Sequence, residues 1–326
     1  MQHIRHYNKV WLPVGLFRGL ENLSELYLYK NQITVLNENS FQELKRLAIL
    51  SIYMNNLTAI PSGLFRGLGN LKQLYLQNNH FVKLDADVFH GLNQLETLNV
   101  RGNALQVIPS ELFSGLEQLK LLYIFLTELT MLDSDAFRDL REIIMLGLYE
   151  NKLIKLPTAL FQGLITLKEL YLYDNLLTFL DSEIFSGLIS LSILHLKDNH
   201  LKELPHDVFH GLTHLMYLNL ISNQILHVHV DIIRPCSVLN ESILMLTLFW
   251  IVKQQANKWN IPSKIMTSNC FFKSLKWLWV SILEVLSPIM NVFCFSSVTH
   301  VHTLNMWPIS SKPTICRQLH VSLFII

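Results

Sequence analysis

A leucine or isoleucine returns every 24 residues, at positions 23, 47, 71, 95, 119, 143, 167, 191 and 215, through nine units without insertion or deletion. A fixed period of this size restricts a chain to stacked repeats, because each unit is one supersecondary element that cannot bury its own apolar face. The other columns keep step. Leucine stands in every unit from Leu26 to Leu218. Two further on come Leu28, Ile52, Leu76, Val100, Ile124, Leu148, Leu172, Leu196 and Leu220. Asparagine follows at 31, 55, 79, 103, 151, 175, 199 and 223, and Thr127 is the one departure. An apolar pair comes next (Ile33 with Leu36, through to Ile225 with Val228), and phenylalanine closes each unit, from Phe17 to Phe209, with a leucine three later.

In L-x-L the two leucines share one face of a short strand, and the residues between them face the other way. Every unit therefore has one buried face, and stacking makes a curved parallel sheet. Nine strands at about 4.8 Å span roughly 40 Å. Asparagine sits where the chain leaves the strand, where its amide can donate to and accept from backbone groups left unpaired by the turn. Thr127 makes fewer such bonds, so the fifth rung is expected to be the weakest. The phenylalanines form a spine under the convex side. Proline follows the last core residue at 13, 61, 109, 157 and 205, with Asn37, Asp85, Asp133 and Asp181 in the intervening units, an alternation that points to growth by doubling of a 48-residue pair. Either residue starts a turn: proline presets its backbone angle, and aspartate bonds its neighbouring backbone.

The unit L-x-x-L-x-L-x-x-N-x-L-x-x-L-(x)4-F-x-x-L resembles the leucine-rich repeat. Its 24-residue length and F-x-G-L ending are similar to the extracellular subclass found in chondroadherin, the Slit proteins, the acid-labile subunit and Toll-like receptor ectodomains. The resemblance covers residues 10 to 228. It implies an α/β fold, a right-handed horseshoe solenoid with a parallel concave sheet and a mostly irregular convex side, in a non-catalytic binding protein. The division expected is a partial or decayed N-terminal repeat over 1–20, nine repeats over 21–230, and over 231–326 a degenerate tenth repeat followed by a hydrophobic tail. In the first unit Asn8, Val10, Leu12 and Pro13 read as one residue out of register. Extracellular members usually open with a signal peptide and a cysteine-bearing cap. Neither is visible, so a chain missing its natural N-terminus is expected.

Half the residues are hydrophobic and only 16% are charged, far too apolar a mixture for a disordered chain. The net charge of +1 offers no global excess for a phosphate backbone, and no nucleic-acid partner is expected. Elbow, zincin, P-loop and C-x-x-C motifs are absent from the sequence, so no enzyme, cofactor or metal site is expected. His206, His210 and His214 read as surface residues on convex turns; His227 and His229 form a second pair. The four cysteines, Cys236, Cys270, Cys294 and Cys316, all lie in the last third. Residues 277–295 are long enough for a membrane helix but carry Glu284, Pro288 and Asn291, which makes them a weak anchor candidate. Residues 240–326 are expected to be poorly ordered or a non-native continuation.

The concave face carries the functional expectation. The two residues flanking the second leucine of each strand face outward, and they include Tyr27, Tyr29, Tyr53, Tyr75, Tyr123, Phe125, Tyr149, Tyr171 and Tyr173. Tyrosine combines a large contact area, little entropy loss and a polar tip, so this face is expected to bind a protein ligand in the extracellular space or matrix. The alternative is a membrane-anchored receptor ectodomain of Toll-like pattern with its anchor in 277–295. Glu150, Glu169, Asp174 and Asp198 make the later strands more acidic, which favours a partner with a basic patch. Sequons at Asn22, Asn56 and Asn240 mark N-glycosylation candidates.

Overall fold

The computed structural model describes residues 2–3, 10–225, 232, 236, 238 and 239. The histidine pair His227 and His229, the sequon at Asn240, Cys270, Cys294, Cys316, the anchor candidate 277–295 and the tail from 240 onward lie outside these residues. The strands are β1 (Gln2–His3), β2 (Glu25–Tyr27), β3 (Ile49–Ser51), β4 (Gln73–Tyr75) and β5 (Thr97–Asn99). They continue as β6 (Leu121–Tyr123), β7 (Met145–Gly147), β8 (Glu169–Tyr171), β9 (Ile193–His195) and β10 (Tyr217–Asn219). All ten form one sheet in chain order, and each pairs in parallel with the next at a register of one repeat, as Leu26 against Leu50 and Leu194 against Leu218. This is the expected solenoid.

The first unit keeps this backbone register: Gln2 pairs with Leu26 and Trp11 bridges to Val35. Leu12, one repeat before Leu36, is buried in the core. The slip read at Asn8 and Val10 therefore does not carry through to Leu12 and Pro13, because pairing is set by the backbone ladder and by Leu12 in its column.

The leucine, isoleucine and phenylalanine columns form one continuous core along the stack, with Leu26, Leu50, Leu74, Leu98, Leu122, Leu146, Leu170 and Leu194 all fully buried. Successive phenylalanine rings stack under the convex side, Phe137 to Phe161 at 6.4 Å and Phe161 to Phe185 at 6.3 Å. Among the described residues the convex side is a run of tight turns without an α-helix. Proline and aspartate open these turns alike: Leu64 N–H donates to Pro61 C=O, and Ala136 N–H to Asp133 C=O, while the Asp133 carboxylate also accepts from Asp135 N–H. Two units replace the F-x-G-L glycine with an acid, and each acid reaches back one repeat. Glu43 accepts from Gly19 N–H at 3.1 Å and Asp139 from Gly115 N–H at 3.0 Å.

The asparagine column is a ladder of buried amides. Asn79 donates to Ile52 C=O at 3.2 Å and Leu76 C=O at 2.9 Å, and its oxygen accepts from Leu57 N–H at 3.2 Å. Each amide thus ties its own strand exit to that of the unit before. The residue preceding it takes the left-handed conformation throughout, from Lys30 at φ 56° to Ser222 at φ 57°. That conformation is unfavourable for side chains such as Met54 and Leu126, and the amide bonds hold it. At the fifth rung Thr127 donates to the Asn151 side-chain oxygen and, at 3.4 Å, to Ile124 C=O, but has no amide oxygen for Leu105 N–H.

At the far end Ile232 and Cys236 are buried against the last units, with Leu239 partly buried beside them. Burial pushes the free Cys236 thiol up to about 12. Among the described residues no helix is long and apolar enough to cross a membrane.

Candidate functional site

The two-residue period of a strand puts Glu25, Tyr27 and Tyr29 on one side and Leu26 and Leu28 on the other. Burial follows: the two leucines are fully buried and the three outward residues only half-buried. Repeated down the stack, this gives a concave face of three columns. Two of them are the columns expected from the residues flanking the second leucine. The third, which includes Glu25, Gln73, Glu169 and Tyr217, was available from the same rule, since each stands two residues before a position already assigned to the face.

On this face the aromatic side chains stack on one another. Arg101 lies 5.2 Å over Phe125, Phe125 stacks on Tyr149 at 3.9 Å, and Tyr149 on Tyr173 at 4.3 Å. The series continues through His195 at 4.7 Å to Tyr217 at 5.7 Å. Tyr123 and Tyr171 meet it edge-on, at 6.2 Å from Phe125 and 6.3 Å from Tyr149. A second stack, Tyr29 on Tyr53 at 4.8 Å with Tyr27 edge-on at 6.3 Å, occupies the N-terminal strands, with Gln77 between the two groups in the same column. Stacked and edge-to-face pairs of this kind add about 0.5–1.5 kcal/mol each beyond burial.

Gly147 lies beneath the longer stack. A Cβ there would stand 3.4 Å from Phe125 Cδ1 and 3.5 Å from Tyr149 Cε1, in ordinary contact with both, so the two rings lean over β7 close to its backbone. Of the nine aromatic residues assigned from the sequence, the eight tyrosines are half-buried with part of each side chain open on the concave side. Phe125 is only 6% exposed, yet it belongs to the face and not to the core cluster. It is enclosed by Arg101 and Tyr149 and supports its neighbours.

The polar atoms are unevenly satisfied. Tyr27 donates to Glu25 at 3.1 Å, Tyr75 to Gln73 at 3.0 Å and Tyr171 to Glu169 at 2.9 Å. Four buried side-chain atoms among the described residues have no partner, namely Ser51 Oγ, Gln77 Oε1, Arg101 Nε and His195 Nδ1, and all four are on this face. Native interiors leave few such groups unpaired.

Burial, with the hydrogen bond and charge of Glu169, pushes the Tyr171 hydroxyl up to about 12. Burial is also the first cause at Tyr149, Tyr173, Tyr75 and Tyr123, each raised above the usual tyrosine value. A raised folded-state value means that the unfolded chain loses its phenolic protons first. The stabilisation is complete below about pH 10 and is lost as pH climbs toward the folded values. Denaturant midpoints should accordingly fall between pH 10 and 12, and Tyr171→Phe should make the fall shallower. An identical fall in that variant would show that Tyr171 ionises as freely as in the unfolded chain.

Elsewhere, His206, His210 and His214 are exposed on the convex side, His206 beside Asp207 at 2.8 Å and His214 against Ile189 C=O at 2.8 Å. No group of three metal-ligating side chains is gathered among the described residues. Asn22 and Asn56 are exposed, as an N-glycan would require.

The profile of the family described as leucine rich repeat matches residues 3–57, 45–105, 94–153, 145–201 and 189–240. No curated protein sequence matches the chain. Among solved structures, the chain is similar to one in the Toll–Spatzle complex of Drosophila, at 26% identity and a TM-score of 0.68, over 72% of this chain and 32% of that one. It is similar to one in the TLR13–ssRNA13 complex at 26% identity and 0.62, over 71% and 37%. A third is in the octameric complex of Latrophilin 3, Unc5D and the leucine-rich repeats of FLRT2, at 25% identity and 0.57, over 68% and 69%. The chain thus spans about a third of the first two.

Proposed function

The chain belongs to the leucine-rich repeat family, and on that premise we propose that it is a non-catalytic scaffold whose concave face binds a protein ligand outside the cell or at its surface. The observation that carries this reading is the run of rings from Phe125 to Tyr217, held side by side and partly open to solvent. Aromatic side chains already ordered by their neighbours lose little further entropy on binding. Toll and FLRT2, whose solved complexes contain protein partners, support a protein ligand; TLR13, solved with an RNA, gives the competing outcome.

The test is a random dodecapeptide library displayed on phage, selected on the native chain and re-measured on Tyr75→Ala, Tyr123→Ala, Tyr171→Ala combined. Affinity of the selected peptides should fall at least about 100-fold, equivalent to about 2.7 kcal/mol, while the variant still unfolds cooperatively, its melting temperature lowered only by the lost edge contacts and hydrogen bonds of the three tyrosines, because the core columns are untouched. Unchanged affinity would end the reading. Similarity to Toll favours a second form of it, a receptor ectodomain anchored by residues 277–295. Retention of the expressed chain in carbonate-washed membranes supports that form, and release into the wash removes it.

A further inference from the structure

Resting on the reading just given, we propose that the ligand segment seated on the C-terminal half of the concave face carries arginine side chains. Two independent features of the face converge on this chemistry, its hydrogen-bonding polarity and its charge.

Polarity follows from where the hydroxyl protons go. Tyr171 donates to Glu169, so its oxygen retains only lone pairs toward solvent. The carboxylates of Glu150, Glu169 and Asp174 are acceptors as well. The surface around Tyr171 is therefore rich in acceptors, and a ligand seated there brings the donors. Guanidinium brings five and no acceptor, in a planar fork that matches the carboxylates and stacks on ring faces. The protein itself supplies the precedent: Arg101 takes one place in this column, 5.2 Å over Phe125.

Charge selects the same ligand. On the neighbouring strands Glu96 is neutralised from both sides, by Lys72 at 3.1 Å and Lys120 at 2.9 Å. Lys197 is bound to Asp198 at 2.7 Å. Glu150, Glu169 and Asp174 have no ion pair among the described residues. Three acids without an ion pair thus gather around Tyr149, Tyr171 and Tyr173, against Glu25 at the N-terminal end of the same face. An ammonium would meet the charge but not the paired planar acceptors.

The probe is a fluorescein-labelled dodecapeptide of alternating arginine and glycine, with lysine and glutamate counterparts, followed by anisotropy on the full chain. The arginine peptide should bind more tightly than the lysine peptide, the glutamate peptide not at all, and affinity should drop as salt rises from about 50 to about 300 mM. Glu150→Gln, Glu169→Gln and Asp174→Asn combined should weaken binding about tenfold or more. Glu21→Gln, Glu38→Gln and Glu117→Gln, which neutralise exposed acids off this face, should not. Each single variant is measured beside the triple, with its melting temperature, so that loss of fold is separable from loss of charge. Equal weakening by both triples, or no preference for arginine, overturns the inference. Should that occur while displayed peptides still require Tyr75, Tyr123 and Tyr171, this inference falls alone; peptides indifferent to those tyrosines remove the underlying function too.

Discussion

Phe161→Ala is expected to lower the unfolding free energy by about 3–5 kcal/mol, the range for emptying a buried aromatic site. Phe161 is fully buried and its ring is stacked on Phe137 at 6.4 Å and Phe185 at 6.3 Å. In a stack whose units touch only their neighbours, removing a middle ring weakens two interfaces at once. The same change at Phe17, near the start of the described stack and stacked on Phe41 at 5.9 Å, should cost less. Urea unfolding of the two variants measures the difference. A loss below about 1 kcal/mol at Phe161 would mean that the units do not depend on the spine, and the argument from stacked packing would fail with it. A split into two transitions in place of one lowered midpoint would place the weakened interface in the middle of the stack.

The columns were legible in the sequence because burial repeats with the same period as the residues. Leu26, Asn31 and Phe41 each belong to a column whose environment is nearly constant, so nine examples of one residue type reveal one environment. The concave face was legible only in part. Its alternation is a property of the strand, and the column containing Glu169 and Tyr217 follows from it once strand limits are known. The enclosure of Phe125 and the role of Gly147 follow from contacts between rings on adjacent strands, a geometry that no single repeat encodes. The left-handed residues, Met54 and Leu126 among them, were illegible for a different reason: nothing in their side chains prefers φ near 55°, and the bonds of the next residue impose it.

Those bonds set the second large effect, Asn175→Ala, which should cost about 2–3 kcal/mol, one orphaned N–H and two lost hydrogen bonds. Asn175 is 4% exposed. It donates to Leu148 C=O at 3.0 Å and Leu172 C=O at 3.1 Å and accepts from Leu153 N–H at 3.1 Å. Alanine leaves Leu153 N–H without an acceptor, at about 1–3 kcal/mol, and takes one of two donors from each carbonyl, since Leu148 C=O keeps Asn151 and Leu172 C=O keeps Asn199. The fifth rung supplies the converse. Thr127 gives nothing to Leu105 N–H, whereas Asn79 serves Leu57 N–H at 3.2 Å, so Thr127→Asn should restore the missing acceptor and raise stability by about 1 kcal/mol. The pair of variants is diagnostic because the two changes run in opposite directions at equivalent positions. Denaturant midpoints at constant slope measure both. If Thr127→Asn were neutral and Asn175→Ala cost less than about 1 kcal/mol, the amide ladder would be a consequence of the fold and the apolar columns alone would hold the turns in place.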